Sequence, residues 1–151
     1  MNSALTCLLL FSTTLALGES KDVNGWDKIK WGMTLEQAAA AYNIEYKPEK
    51  NEYWTILDLP SITVAGINLG VNCGAKLGTD SITLVRMSDW GNPSPGNRDT
   101  IKTLLIQKYG QPNSQDENSV LWVLSSTSIT MEVNRFGWVS IIYKAIEKNS
   151  L

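Results

Sequence analysis

Four carboxylates stand in or beside segments of strand character: Asp58, Asp80, Asp89 and Glu132. Two of them held a fixed distance apart in a cleft could run acid–base chemistry of the glycosidase kind. Carboxylates in such positions also serve as solvated strand faces, turn residues and ion-pair partners. One thiol, Cys73, is followed shortly by Lys76, whose charge could lower its pKa and make it a nucleophile. The plainer role of a single Cys at a strand end is that of a small buried apolar residue. The chain has no His, which removes Ser-His-Asp and Cys-His activation and His-containing zinc sites. No Ser is followed three residues later by Lys, so a Ser-x-x-Lys site is absent. Glycines recur at 66, 70, 74 and 78, without the spacing of a phosphate-binding or dinucleotide loop. No cofactor or metal is expected, and the chain reads as non-enzymatic.

The six Trp offer recognition instead of catalysis. Trp54 and Trp122 lie within strand segments and suit core packing. Trp26, Trp31, Trp90 and Trp138 lie near turns or strand starts, where an exposed indole anchors protein or carbohydrate. The net charge of −2 argues against general nucleic-acid binding, which needs a basic face, and supplies no polybasic signal for an anionic membrane.

The elements that must position these residues begin after a targeting segment. Ala4 to Leu17 is uncharged and apolar, too short to span a bilayer, and Ala16-Leu17-Gly18 has the small-x-small form that precedes signal-peptidase cleavage. Residues 1–18 are therefore expected to be a signal peptide and 19–151 a single periplasmic or secreted domain. Cys7 would be lost with the leader. It follows no lipobox, so no stable membrane anchor is expected after cleavage. Cys73 is left without a partner for an internal disulfide.

Thr34-Leu35-Glu36-Gln37 has the form of a capping box, and a short helix is expected from Leu35 to about Asn43. A second, longer helix is expected from Asn97 to Tyr109. Ile101, Leu104, Leu105 and Tyr109 form its apolar stripe, Asn97 or Asp99 caps it, and Gly110 and Pro112 stop it. Strands are expected at 53–59, 61–64 (entered through Pro60), 68–73, 81–87, 119–124, 128–133 and 138–143, with a hairpin turn at 134–137. The long helix should lie on the sheet face carrying Ile129, Met131, Ile141 and Tyr143, because residues two apart share a face.

The order helix, strand, strand, strand occurs twice, over about 26–90 and 97–146. Ser-Ile-Thr at 61–63 follows Tyr42 at the same distance as Ser-Ile-Thr at 128–130 follows Tyr109. The fold class expected is α+β, built from two related helix-plus-antiparallel-sheet units in one domain. The first unit carries an extra glycine-rich segment, Gly66 to Gly78. It reads either as a functional loop, since loops carry sites, or as an additional edge strand with glycines at bulges. Asn68, Asn72, Cys73, Lys76 and Trp90 are accordingly the candidate partner-binding residues.

Trp31-Gly32-Met33-Thr34-Leu35-Glu36-Gln37 resembles the Gly-Met-Thr-x-x-Glu/Gln helix start of small bacterial envelope proteins. These include the SmpA/OmlA-type barrel-assembly lipoproteins and the β-lactamase inhibitor proteins with their tandem helix-plus-sheet repeats. Lys108-Tyr109-Gly110-Gln111-Pro112 resembles the Tyr-Gly-x-Pro helix exit of such secreted domains. The chain departs from the lipoproteins in lacking a lipid-attachment Cys. The resemblance implies an exported interaction module that binds an envelope or secreted protein, with inhibition as one form of that binding. The alternative is a glycan or small-ligand binder that uses exposed Trp.

Overall fold

Apolar and polar residues alternate along most of the chain, and the alternation is realised as one large antiparallel sheet. A computed structural model of the chain describes residues 23–90 and 93–148. The elements in order are β1 (Gly25–Trp26), β2 (Ile29–Lys30), α1 (Leu35–Tyr42), β3 (Glu49–Lys50), β4 (Trp54–Val64), β5 (Ile67–Lys76), β6 (Ile82–Ser88), α2 (Pro95–Tyr109), β7 (Ser114–Gln115), β8 (Ser119–Val123), β9 (Thr127–Val133) and β10 (Val139–Ala145). Strands β1 and β2 pair by themselves; the other eight form a sheet in the order β3-β4-β5-β6-β10-β9-β8-β7. The architecture is α+β, as expected. The expected leader lies outside the described residues. No helix among the described residues is long and apolar enough to cross a membrane.

Two rows of side chains run across the sheet on one face. Leu57, Cys73, Val85, Tyr143, Ile129 and Trp122 stand side by side, followed by Leu59, Val71, Met87, Ile141, Met131 and Val120. Every one is buried, in one cluster with Leu35, Ala38 and Ala39 of α1 and Ile101, Leu105 and Tyr109 of α2. Both helices therefore cover this face. Alanines at 38 and 39 leave no side-chain bulk between α1 and the strands below, which brings β4 and β5 close to its axis.

The helix ends follow two different solutions. At α1 the Thr34 hydroxyl accepts from the Gln37 N–H at 3.1 Å and the Gln37 side chain accepts from the Thr34 N–H at 2.9 Å, the expected capping box. At α2 neither Asn97 nor Asp99 caps. The helix starts two residues earlier at Pro95, after Ser94, with no side-chain bond to its first turn. Proline suits that position because its missing N–H would be unpaired there anyway. Asn97 is used otherwise: its amide donates to Asp89 at 2.8 Å. The second oxygen of Asp89 accepts from the Val139 N–H at 2.8 Å. This buried carboxylate thus ties the start of α2 to the start of β10. At the other end, Gly110 supplies the positive φ of 83° that stops the helix. The Trp122 indole donates to its carbonyl at 2.9 Å, and the Tyr109 and Tyr143 hydroxyls meet at 3.0 Å.

The segment 66–78 is neither a loop nor an edge. It is β5, paired on one side with β4 and on the other with β6. Likewise 61–64 is not a separate strand but the far half of β4, which runs on through a bulge where Pro60 and Ser61 face Gly70. A bulge is one of the few places where a strand accepts proline. Ala65 and Gly66, at φ 50° and 79°, make the two-residue turn that a tight hairpin requires. The matching tripeptides also separate: Ser61–Thr63 ends β4, whereas Ser128–Thr130 opens β9. The outermost strands β3 and β7 have two residues each, and short edges offer little template for pairing with other chains.

Candidate functional site

The opposite face of the sheet carries no helix among the described residues. One residue along from the buried rows, Asp58, Asn72, Arg86, Ile142, Thr130 and Leu121 stand side by side. Asp58 and Arg86 are exposed and the other four half-buried. Midway across the sheet, at the end of β6, the chain turns out into Trp90, whose side chain is 67% exposed. Trp90 stacks on Trp138, ring centroids 6.4 Å apart and planes at 29°. Phe136, 60% exposed, lies against the same indole at 5.7 Å, and the Arg135 guanidinium sits 4.7 Å from the Phe136 ring centroid. Asn134 builds the turn that presents these rings, its side-chain oxygen accepting from the N–H groups of Phe136 and Trp138 at 2.9 and 3.0 Å. An Asn side chain that satisfies two turn donors holds a loop in one conformation.

Two shallow hollows flank this aromatic group, and both are lined by Arg86 and Trp90. One, of about 310 Å³, adds Asp58, Ser61 and Asn72. The other, of about 370 Å³, adds Asn118, Glu132 and Trp138. Arg86 forms no ion pair among the described residues, so its guanidinium is available to an acidic or planar group. Aromatic rings interleaved with Arg, on a rigid strand scaffold, are the composition of recognition surfaces.

Of the five candidate partner-binding residues, Asn72 and Trp90 come together in this region, both lining the smaller hollow. Asn68, Cys73 and Lys76 do not. Asn68 is exposed near the tip of the β4–β5 hairpin, opposite Thr63. Lys76 lies at the far end of β5 and is held by Glu147, whose own pKa is lowered by that bond. Cys73 is withdrawn from any surface: it points to the helix-covered face with no exposure, and burial pushes its thiol pKa up to about 12. A thiolate there would lose its hydration without gaining a cation, so the packing role holds and Lys76 does not activate it. Asp58 and Glu132 share the open face but stand four strand steps apart, roughly 19 Å at the usual spacing. That is about twice the widest separation used by paired carboxylates on one glycosidic bond. No cluster of three or more potential metal ligands occurs among the described residues.

Arg86, Phe136 and Trp138 complete the region. Arg86 was readable in principle, as a charge between Val85 and Met87 in an alternating strand. Phe136 sat unmarked in a turn. Their meeting with Trp90 depends on β6 and β10 being neighbours, which no local pattern announces. Comparison of the chain with protein-family models, curated proteins and solved structures finds no match.

Proposed function

We propose that the chain is a non-enzymatic, exported module that binds an envelope or secreted protein through the open face of its sheet. The observation that carries this reading is the aromatic group Trp90, Trp138 and Phe136 beside Arg86, which has no ion pair among the described residues, on a face that no described helix covers. Large rings that are already ordered before binding lose little conformational freedom on docking, and Trp, Tyr and Arg dominate interface energetics. Export rests on the uncharged apolar run from Ala4 to Leu17, which places the partner in the periplasm or outside the cell. Inhibition is one outcome of such binding.

The two-unit organisation belongs to the same proposal. Each helix is followed by four strands, and the sheet order is a mirror sequence about the β6–β10 pair. A duplicated helix-plus-sheet unit accounts for that symmetry. The strand correspondence that fits is β4 with β8, β5 with β9 and β6 with β10, so the repeated Ser-Ile-Thr is a coincidence of composition.

The test is affinity capture from envelope and secreted fractions with tagged protein and with a Trp90→Ala, Phe136→Ala double variant of unchanged melting temperature. A partner held by the first and lost by the second supports the reading. Equal capture by both, or a catalytic turnover of envelope substrates, sinks it. A second reading, glycan recognition, draws on the smaller hollow, where the Trp90 ring adjoins Asp58, Ser61 and Asn72, since a sugar presents one face to stack and hydroxyls to bond. Quenching of Trp fluorescence by cell-wall fragments, absent in Trp90→Ala, favours it over protein binding.

A further inference from the structure

The helix-covered face is not filled everywhere. Beside α2 lies a cavity of about 480 Å³, within the range of small-molecule sites. Leu69, Met87, Ile141 and Tyr143 line it from the sheet, Ile101, Leu104 and Leu105 from α2, and Val23 and Trp26 from the segment before β2. The far half of the β4–β5 hairpin supplies Ile62 and Val64. These positions have no counterpart in the β8–β9 hairpin, whose strands are five and seven residues long against eleven and ten. The longer hairpin therefore builds one wall of the cavity.

The apolar lining is interrupted by Asp27, Lys108, Tyr109 and Tyr143. The Lys108 ammonium lies 5.2 Å from the Tyr109 ring centroid, and the Tyr109 and Tyr143 hydroxyls share a single hydrogen bond. Two hydroxyls carry two protons, and their mutual bond uses one. The other is free of that bond, on a residue that lines the cavity. Lys108 has no ion pair among the described residues. The second charged residue of the lining, Asp27, is engaged by the Tyr42 hydroxyl at 2.8 Å. An occupant that matches this arrangement has an apolar body and one anionic, hydrogen-bond-accepting end.

We propose that the cavity binds a free fatty acid, its acyl chain against Leu69, Met87 and Ile141 and its carboxylate held by the Lys108 ammonium and the unused tyrosine proton. Burial keeps Tyr143 protonated well above its ordinary range, so the hydroxyl donor persists at every physiological pH. The site lies on the opposite side of the sheet from Trp90 and stands independently of the protein-binding reading.

The test is displacement of dansyl-labelled undecanoate from the delipidated protein by fatty acids, followed also by Trp26 emission. Saturable displacement by dodecanoate is expected, with affinity rising about fourfold for each added methylene up to that length. Lys108→Glu, an exposed change, should weaken dodecanoate by about tenfold or more, the loss of a hydrogen bond to a charged group, while leaving dodecanol unchanged. Leu104→Trp, at the rim, should abolish binding of both. No displacement, a dodecanoate affinity indifferent to Lys108→Glu, or binding retained by a folded Leu104→Trp protein would overturn the proposal. So would capture on anionic phosphatidylglycerol vesicles with no competition by dodecanoate, which would place the affinity on a membrane surface. Thermal melts of each variant show that the fold is kept, and Lys108→Glu decides the matter should Leu104→Trp fail to fold.

Discussion

Neighbouring residues of the same strand meet opposite fates on the two faces of this sheet. Asn72 and Cys73 are adjacent, yet Asn72 is half-exposed between Asp58 and Arg86 while Cys73 is sealed between Leu57 and Val85. The covered face is apolar across the rows from Leu57 on β4 to Trp122 on β8. The open face changes along its width: Asp58, Asn72 and Arg86 on the first three strands, Ile142, Thr130 and Leu121 on the next three. The covered face is built for stability and leaves a cavity beside α2. The open face contributes little packing and carries the exposed rings. Stability and recognition are thus separated by the alternation of the strands.

Two tryptophans give the sharpest way to break that distinction. Trp122 is 1% exposed and donates to the Gly110 carbonyl; Trp122→Ala should cost about 3–5 kcal/mol. Trp90→Ala should cost less than about 1 kcal/mol and remove binding instead. Denaturant titration of both variants measures the difference, and equal losses would mean that the open face is part of the core.

Asp89 marks the boundary between the faces, where β6 leaves the sheet. Asp89→Ala deprives the Val139 N–H and the Asn97 amide of their acceptor, an expected loss of about 2–3 kcal/mol. Asp89→Asn keeps an acceptor and should lose less, a ranking readable in thermal melts.

Cys73 adds a pH dependence that belongs to the covered face alone. The thiol titrates near 9.0 when unfolded and about 12 in the fold, so between these values the folded chain holds the extra proton. Its contribution is fully present below about pH 9 and declines as pH rises toward 12, by at most about 1.4 kcal/mol per pH unit. Cys73→Ala should flatten the alkaline limb of a stability–pH curve. Native protein at pH 8 should react with a thiol reagent only on unfolding. Rapid native labelling would place Cys73 at a surface.

The smallest effect concerns the turn that sets which residue faces which side. A one-residue slip of β5 against β4 would exchange the faces. Ala65 holds φ at 50°, a conformation that disfavours most side chains. Ala65→Asn should stabilise by about 1 kcal/mol or less, and a loss in the melting temperature would contradict this turn geometry.

Local signals carried much of this architecture. The capping box at Thr34 and Gln37 and the glycine stop at Gly110 are chemistry within a few residues, and both hold in three dimensions. Alternation placed Ile129, Met131, Ile141 and Tyr143 on one face, because a strand's period of two is a property of its backbone. The start of α2 differs from the expected one because Asn97 bonds Asp89, eight residues earlier and outside the helix, in place of capping it. The Ala65-Gly66 turn was missed because it lacks the usual Asn-Gly form, and with it the continuity of β4 and the interior place of β5.

By itself, then, the sequence determined that there are two helices and where they stop, the alternation of the longer strands, and that histidine-based chemistry is absent. Only the tertiary structure decided that Trp90, Trp138, Phe136 and Arg86 gather on one open face, that Cys73 is sealed, and that a cavity lined by Lys108, Tyr109 and Tyr143 lies beside α2. Each of those outcomes depends on the pairing of β6 with β10 or on the packing of α2 across the sheet. Such contacts join residues about fifty positions apart, and their selection comes from burying the whole apolar face at once, a cooperative property that no short stretch of sequence contains.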